Sequence, residues 1–175
     1  EGTEPLGRGP IVVCLDSSSS MDGAPEFWAK AVTLALLAVA RDEKRVFSLI
    51  TFSSRQQVRQ WIFETPPRVD ALVESLEFSF RGGTDFQAPL DLAMQTLEGN
   101  AFQKGDVIMI TDGECSVHPD WASRFRARKR AKGARLFSVL IGTESNTLKE
   151  LSDGVERIDD FADDEAVANL VFGSS

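Results

Sequence analysis

Ile11-Val12-Val13-Cys14-Leu15-Asp16-Ser17-Ser18-Ser19-Ser20-Met21 is the stretch on which the reading of this chain turns. Five apolar residues in succession, three of them Ile or Val, suit a strand buried on both faces. A carboxylate and a run of hydroxyls follow at once, so the strand delivers Asp16, Ser18 and Ser20 into a single loop. Hard oxygen donors packed that tightly suit a divalent cation such as Mg²⁺, which prefers oxygen, demands an octahedron and usually keeps waters. Two other stretches carry residues that could complete such a site: Gly82-Gly83-Thr84-Asp85 and Ile110-Thr111-Asp112-Gly113.

Working outward, strand-like runs alternate with helical periodicity. Residues 25–41 read as a helix with Pro25 in its first turn. Phe27, Ala31, Leu34, Ala35 and Ala38 line one face, and Val32, Leu36 and Val39 make the opposite face apolar too, so burial all round is expected. Residues 45–52 read as a strand and 57–63, after a short turn, as a half-exposed edge strand. Helices follow at 67–76, with Val69, Leu72, Val73 and Leu76 as the buried stripe, and at 85–97, ended by Gly99-Asn100. Beyond them come a strand at 107–110, a helix at 119–132, a strand at 136–141, a short helix at 147–151, a strand at 155–161 and a closing helix at 164–171. This alternation implies an α/β fold with a mostly parallel sheet covered on both faces. The short link between the second and third strands makes that pair a hairpin, with one strand antiparallel. In open α/β sheets ligands sit at the carboxyl ends of the strands, near the switch in strand order. Asp16 and Asp112 converge there if their strands are neighbours, and Thr84 approaches from the side on its loop.

Composition narrows the function. At 175 residues the chain suffices for one domain with a real core. A net charge of −8 argues against general nucleic-acid binding, which asks for a basic surface, and against anionic membranes. The longest apolar stretch, residues 31–40, is about half of what a bilayer span needs. Residues 1–9 read as a Gly/Pro linker and 10–175 as the domain; the acidic, polar start without Met is expected of a fragment of a longer protein. Cys14 and Cys115 fit no zinc or redox spacing and read as a buried hydrophobe and a loop residue, in keeping with a reducing cytoplasm.

The pattern Asp16-x-Ser18-x-Ser20, then Thr84 after Gly82-Gly83, then Asp112-Gly113 after an apolar strand, resembles a von Willebrand factor A (VWA) domain with its metal-ion-dependent adhesion site (MIDAS). The resemblance implies that Asp16, Ser18, Ser20, Thr84 and Asp112 are the metal ligands, some directly and some through water. It also implies a doubly wound, Rossmann-like sheet of six strands in the order 3-2-1-4-5-6, the third antiparallel. A narrower likeness, carried by Gly9-Pro10, Ser20-Met21, Ala29-Lys30-Ala31 and Arg81-Gly82-Gly83-Thr84-Asp85, is to bacterial intracellular proteins of the ViaA and CoxE-like type. These carry the domain at the C-terminus and often partner a MoxR-type AAA+ ATPase, so a cytoplasmic adaptor of such an ATPase, or of its substrate, is implied.

The chemistry expected of the site is binding, without catalysis. A partner's Asp or Glu would complete the coordination of Mg²⁺, with Mn²⁺ and Ca²⁺ as alternatives. Asp85 is expected to cap the helix that follows it, or else to stand behind the metal ligands; Asp22 and Glu114 stand close enough to tune the charge of the site, or are solvated loop residues. A metal-dependent phosphohydrolase is the rival reading, but the second acid it needs two residues after Asp16 is Ser18. No Gly-x-Gly-x-x-Gly follows the first strand, which removes a dinucleotide site, and His118 as the sole histidine leaves little room for a triad. Arg124, Arg126, Arg128, Lys129 and Arg130 crowd one helix, either as a solvated face or as a docking surface for an acidic partner; in the latter case the chain is a scaffold that binds without metal.

Overall fold

All six residues of β1 (Ile11–Asp16) are buried, as the apolar run requires. In the computed structural model, which describes residues 9–63, 67 and 69–159, this strand lies inside a six-stranded sheet. After a 3-10 turn at Ser19–Met21 come α1 (Ala24–Asp42), β2 (Phe47–Phe52), β3 (Val58–Phe63), α2 (Val69–Glu77) and α3 (Gln87–Glu98). They are followed by β4 (Asp106–Thr111), α4 (Pro119–Lys132), β5 (Arg135–Ile141), α5 (Asn146–Leu151) and β6 (Gly154–Ile158). The strand order is β3-β2-β1-β4-β5-β6, and every pairing is parallel except β2 with β3. This is the doubly wound sheet expected from the sequence. β1 sits between β2 and β4, so the switch in strand order falls at its carboxyl end.

Period-two alternation divides the apolar strands between two cores. Val12 and Cys14 of β1 and Val107 and Met109 of β4 face the layer that contains Leu90, Met94 and Leu97 of α3 and Phe125 of α4. Ile11, Val13 and Leu15, with Ile108 and Ile110, face Ala29, Val32, Leu36 and Ala40 of α1. Each fully buried Val, Leu, Ile, Phe or Met side chain among them contributes about 1.5–3 kcal/mol of transfer free energy, and together they hold the central strands in register. Where β1, β4 and β5 begin, Asp106 lies between two guanidinium groups. Arg45 reaches it at 2.7 Å and Arg135 at 2.9 Å, and Arg45 also donates through Nε to the Gly9 carbonyl. Gly9 is itself packed: a Cβ there would stand 2.7 Å from the Gly105 nitrogen.

Some expectations shift. α1 is not buried all round. It packs through Ala29, Val32, Thr33, Leu36 and Ala40, while Phe27 is 69% exposed and Leu34 43%. A helix lying on one face of a sheet buries a single stripe of its 3.6-residue period. Thr33 joins that stripe because its hydroxyl donates to the Ala29 carbonyl one turn back. α2 likewise buries Ser75 and leaves Val69 and Val73 exposed. β2 starts at Phe47, since Lys44 takes a left-handed conformation and the Arg45 N–H is committed to the Ala40 carbonyl at the end of α1. His118 caps α4, its Nδ1 accepting from the Asp120 N–H, and Gly133 closes that helix at φ 67°. The closing helix expected at 164–171 and the last residues of the final strand lie outside the described residues.

Candidate metal centre

Parallel pairing of β1 with β4 sets Leu15 beside Ile110, so Asp16 ends its strand next to Thr111, with Asp112 just beyond. Thr111 donates to Asp16 Oδ2 at 2.5 Å, and the Ser18 N–H donates to Oδ1 at 2.8 Å. Both Asp16 oxygens are thus held, and the residue is buried. Burial pushes the Asp16 carboxyl above its ordinary value; the Thr111 and Ser18 hydrogen bonds act downward, and the nearby Asp112 carboxylate adds to the rise.

The hydroxyls form a chain. Ser20 Oγ donates to Asp112 Oδ1 at 2.8 Å, and Ser18 Oγ lies 3.0 Å from Ser20 Oγ. Since the Ser20 proton is committed to Asp112, Ser18 is the donor of the second bond. Ser18 is buried while Ser20 is exposed and Asp112 half-buried, so the chain climbs from the strand end to the surface. Thr84 reaches the cluster from the loop before α3 and rests against the backbone of the Asp112 turn: a Cβ on Gly113 would stand 3.0 Å from Thr84 Oγ1. Among the described residues the Thr84 hydroxyl has no hydrogen-bond partner.

This set suits a small hard cation. Adjacent oxygens on an octahedron with metal–oxygen bonds of about 2.0–2.1 Å stand about 2.9 Å apart. The Ser18–Ser20 oxygen separation of 3.0 Å is compatible with that edge, as it is with the hydrogen bond that joins the two hydroxyls. Among the described residues no three His, Cys, Asp or Glu side chains gather as a metal site; the donors here are mostly hydroxyls, the choice a hard cation accepts and a soft one does not.

The flanking acids have structural duties. Asp85 Oδ1 accepts from the Gln87 N–H at 3.4 Å and Oδ2 from the Ala88 N–H at 3.3 Å, the capping role expected of it. Asp22 pairs with Arg81 at 3.3 Å on the surface. Glu114 is turned to the start of α5, where it accepts from Ser145 Oγ at 2.5 Å and the Thr147 N–H at 3.3 Å. It is exposed on its loop and makes its hydrogen bonds to α5, away from the hydroxyl cluster.

The basic helix divides as well. Arg128 is bonded to Glu98 through two nitrogens and to Asp91, and Lys129 donates to the Leu151 carbonyl and to Asp153. Both are half-buried and paired within the domain. Arg124, Arg126 and Arg130 form no ion pair among the described residues. Arg124 lines an open groove of 670 Å³ with Arg55, Asp85 and His118, beside the Thr84 loop. Arg126 lines a separate one of 390 Å³ between α4 and α5.

Sequence reasoning missed three supports of the site: Thr111, which holds Asp16; Ser17, whose Oγ donates to the Phe52 carbonyl and accepts from the Phe80 N–H; and the Ser53-Ser54 pair, which holds the Thr84 loop. Single hydroxyls at strand ends carry no spacing signal, and the partners are far apart in the chain.

A family model described as the von Willebrand factor type A domain matches residues 11–114, from β1 through the Asp112 turn. The chain belongs to the von Willebrand factor type A family. VWA domains are in general interaction modules, typically metal-dependent. The uncharacterized protein MJ0811 of Methanocaldococcus jannaschii is 36% identical over 161 residues, covering 91% of this chain and 37% of that one. The chain spans just over a third of the length of the curated relatives it matches. Among solved structures, a VWA domain from Catenulispora acidiphila superposes with a TM-score of 0.69 at 16% identity, over 95% of this chain and 42% of that one. Proximal thread matrix protein 1 from the mussel byssus, in a form with a zinc-occupied MIDAS motif, gives 0.70 at 18% identity, over 95% and 45%. At these identities the structures speak for the fold alone. No helix among the described residues is long and apolar enough to cross a membrane.

Proposed function

We propose that this VWA domain is a metal-dependent protein-interaction module whose divalent cation is held by Asp16, Ser18, Ser20, Thr84 and Asp112. The observation that carries the reading is the convergence of the Ser18, Ser20 and Asp112 oxygens in one hydrogen-bonded chain, with the Thr84 hydroxyl, which has no hydrogen-bond partner among the described residues, against the same turn. When bound, the cation supplies an electrophilic site for a carboxylate oxygen of a partner's Asp or Glu. Ser18, Ser20 and Thr84 offer neutral hydroxyls, and Asp16 and Asp112 contribute charge largely through water. Keeping the direct donors neutral preserves the demand for an outside carboxylate. No protein nucleophile or general base is needed, and the position two residues after Asp16 holds Ser18, engaged with Ser20, where a phosphohydrolase would want an acid.

Mg²⁺ is the proposed resident, with Mn²⁺ and Ca²⁺ as the competing hard cations. A MoxR-type AAA+ ATPase or its substrate is the partner that the ViaA and CoxE likeness suggests. The two free cysteines are in keeping with a reducing cytoplasm. The test is calorimetric titration of Mg²⁺ and Mn²⁺ into the protein with Asp16→Ala as control. Saturable one-to-one binding that is lost in the variant supports the site. Equal binding by both proteins, or partner affinity indifferent to chelation and to Asp16→Ala, overturns it and favours a scaffold working through Arg124, Arg126 and Arg130.

A further inference from the structure

Of the five proposed ligands, Thr84 alone stands on a segment that is neither a strand end nor the first turn after one. Its loop follows the half-buried run 78–80, and Arg81 there adopts φ 55°, a left-handed conformation uncommon for a side chain of its size. Something must hold Thr84 in place, and hydrogen bonds do so from two sides. On the side of β1, the Arg81 N–H donates to the Ser17 carbonyl at 2.9 Å and the Ser19 N–H to the Gly82 carbonyl at 3.3 Å. On the other side stands the turn between β2 and β3. Ser53 Oγ donates to the Gly83 carbonyl at 2.8 Å, and the Gly83 N–H donates to Ser54 Oγ at 2.6 Å. The Asp85 N–H donates to the Ser53 carbonyl at 2.8 Å. Both polar backbone groups of the residue before Thr84, and the N–H of the residue after it, are therefore committed to Ser53 and Ser54.

The turn is itself locked. The Ser54 N–H donates to Gln57 Oε1 at 3.1 Å, and the Ser53 N–H to the Gln57 carbonyl at 3.0 Å. Gly82 lies close against this surface: a Cβ would stand 2.6 Å from both Ser54 Oγ and Gln57 Oε1, and 2.9 Å from Ser53 Oγ, so those side chains would have to shift. We infer that Ser54, with Ser53, is a positioning residue for Thr84, so that the β2–β3 turn sets the affinity of the metal site without touching the metal. This rests on the metal-binding reading above.

The experiment is a double-mutant cycle in Mn²⁺ affinity, by calorimetry, over the wild type, Ser54→Ala, Thr84→Ala and the double variant, with amide hydrogen exchange at Gly83 as a readout independent of metal. Ser54 lies in a half-exposed turn, and a thermal melt of each variant checks the fold. Supporting residues behind metal ligands typically change affinity by about 10–100-fold, so Ser54→Ala is expected to weaken Mn²⁺ binding by about tenfold or more and to speed exchange at Gly83. In the Thr84→Ala background it should add no more than about twofold, the scatter of independent sites. Ser53→Ala, which frees the Gly83 carbonyl instead, should reproduce the loss. Equal losses in the two backgrounds, or affinity retained in Ser54→Ala, overturn the inference while leaving the metal site standing. Absence of saturable binding in the wild type overturns both.

Discussion

Replacing Thr111 with valine keeps the shape of the side chain and deletes one hydroxyl. That hydroxyl donates to Asp16 Oδ2 at 2.5 Å and accepts from the Gly113 N–H at 3.0 Å. Thr111 is fully buried and Asp16 nearly so, so water has no ready access to replace either bond. A hydrogen bond to a charged group contributes about 1.5–3 kcal/mol and a neutral one about 1 kcal/mol. The methyl that takes the hydroxyl's place offsets less than about 1 kcal/mol. The net cost is about 2–3 kcal/mol, and at about 2–4 °C per kcal/mol for a domain of this size the melting temperature falls by roughly 4–12 °C. The assay is thermal and urea denaturation of the metal-free protein in chelator, followed by Mn²⁺ titration at a temperature where the variant is folded. There the Asp16 carboxylate, held now by the Ser18 N–H alone, should cost about 10–100-fold in metal affinity. Thr111→Ser, which keeps the hydroxyl, should restore most of the affinity while losing a little stability through its missing methyl. A valine variant that melts with the wild type and binds Mn²⁺ equally well would refute the idea that Thr111 orients Asp16.

Asp106→Ala leaves the buried Arg45 guanidinium with Glu43, at 3.0 Å, and the Gly9 carbonyl as partners, so its cost in urea denaturation should stay below the roughly 3–5 kcal/mol of a fully stranded buried charge. Metal affinity of the folded fraction should stay at the wild-type level, since Asp106 lies at the other end of the sheet; a selective loss of metal would contradict this separation. Glu98, held below its ordinary value chiefly by the Arg128 hydrogen bond, favours the fold above that value, and its contribution disappears as pH falls through the depressed value. Because the pair is substantially exposed, Glu98→Gln should cost under about 1 kcal/mol at neutral pH and nothing in strong acid; denaturation curves at both pH values check the difference. Burial pushes the Cys115 thiol up to about 11 and the Cys14 thiol higher still. Alkylation at neutral pH should therefore be slow at Cys115 and absent at Cys14 until the chain unfolds, and rapid labelling of Cys14 in the native protein would count against its burial.

What could be read from the chain and what could not differ for physical reasons. β1 and the position of Asp16 at its end were legible because an apolar run bounded by polar residues has few other fates; the ligand set Asp16, Ser18, Ser20, Thr84 and Asp112 came from the family resemblance and stays a proposal. Sheet order followed from the family resemblance and agrees with the pairing found. The face that α1 buries was not legible: with Val, Leu and Ala on every side, periodicity alone does not distinguish a stripe against a sheet from burial all round. The commitments of Lys129 and Arg128 were hidden because Asp153 and Glu98 are contributed by distant elements. Ser53 and Ser54 were read as an ordinary turn; only the fold brings that turn against the residues flanking Thr84.

The clasp of Arg45 on the Gly9 carbonyl has a practical consequence. β1 runs from that clasp to Asp16, and six extended residues span about 20 Å. The backbone therefore enters at one pole of the domain and meets the oxygen cluster at the other. A linker or affinity handle joined ahead of Gly9 pulls on a buried ion pair and leaves the opposite pole unobstructed. Tethered by that end to a sensor surface, the domain would present Ser20, Thr84 and Asp112 outward to whatever is passed over it.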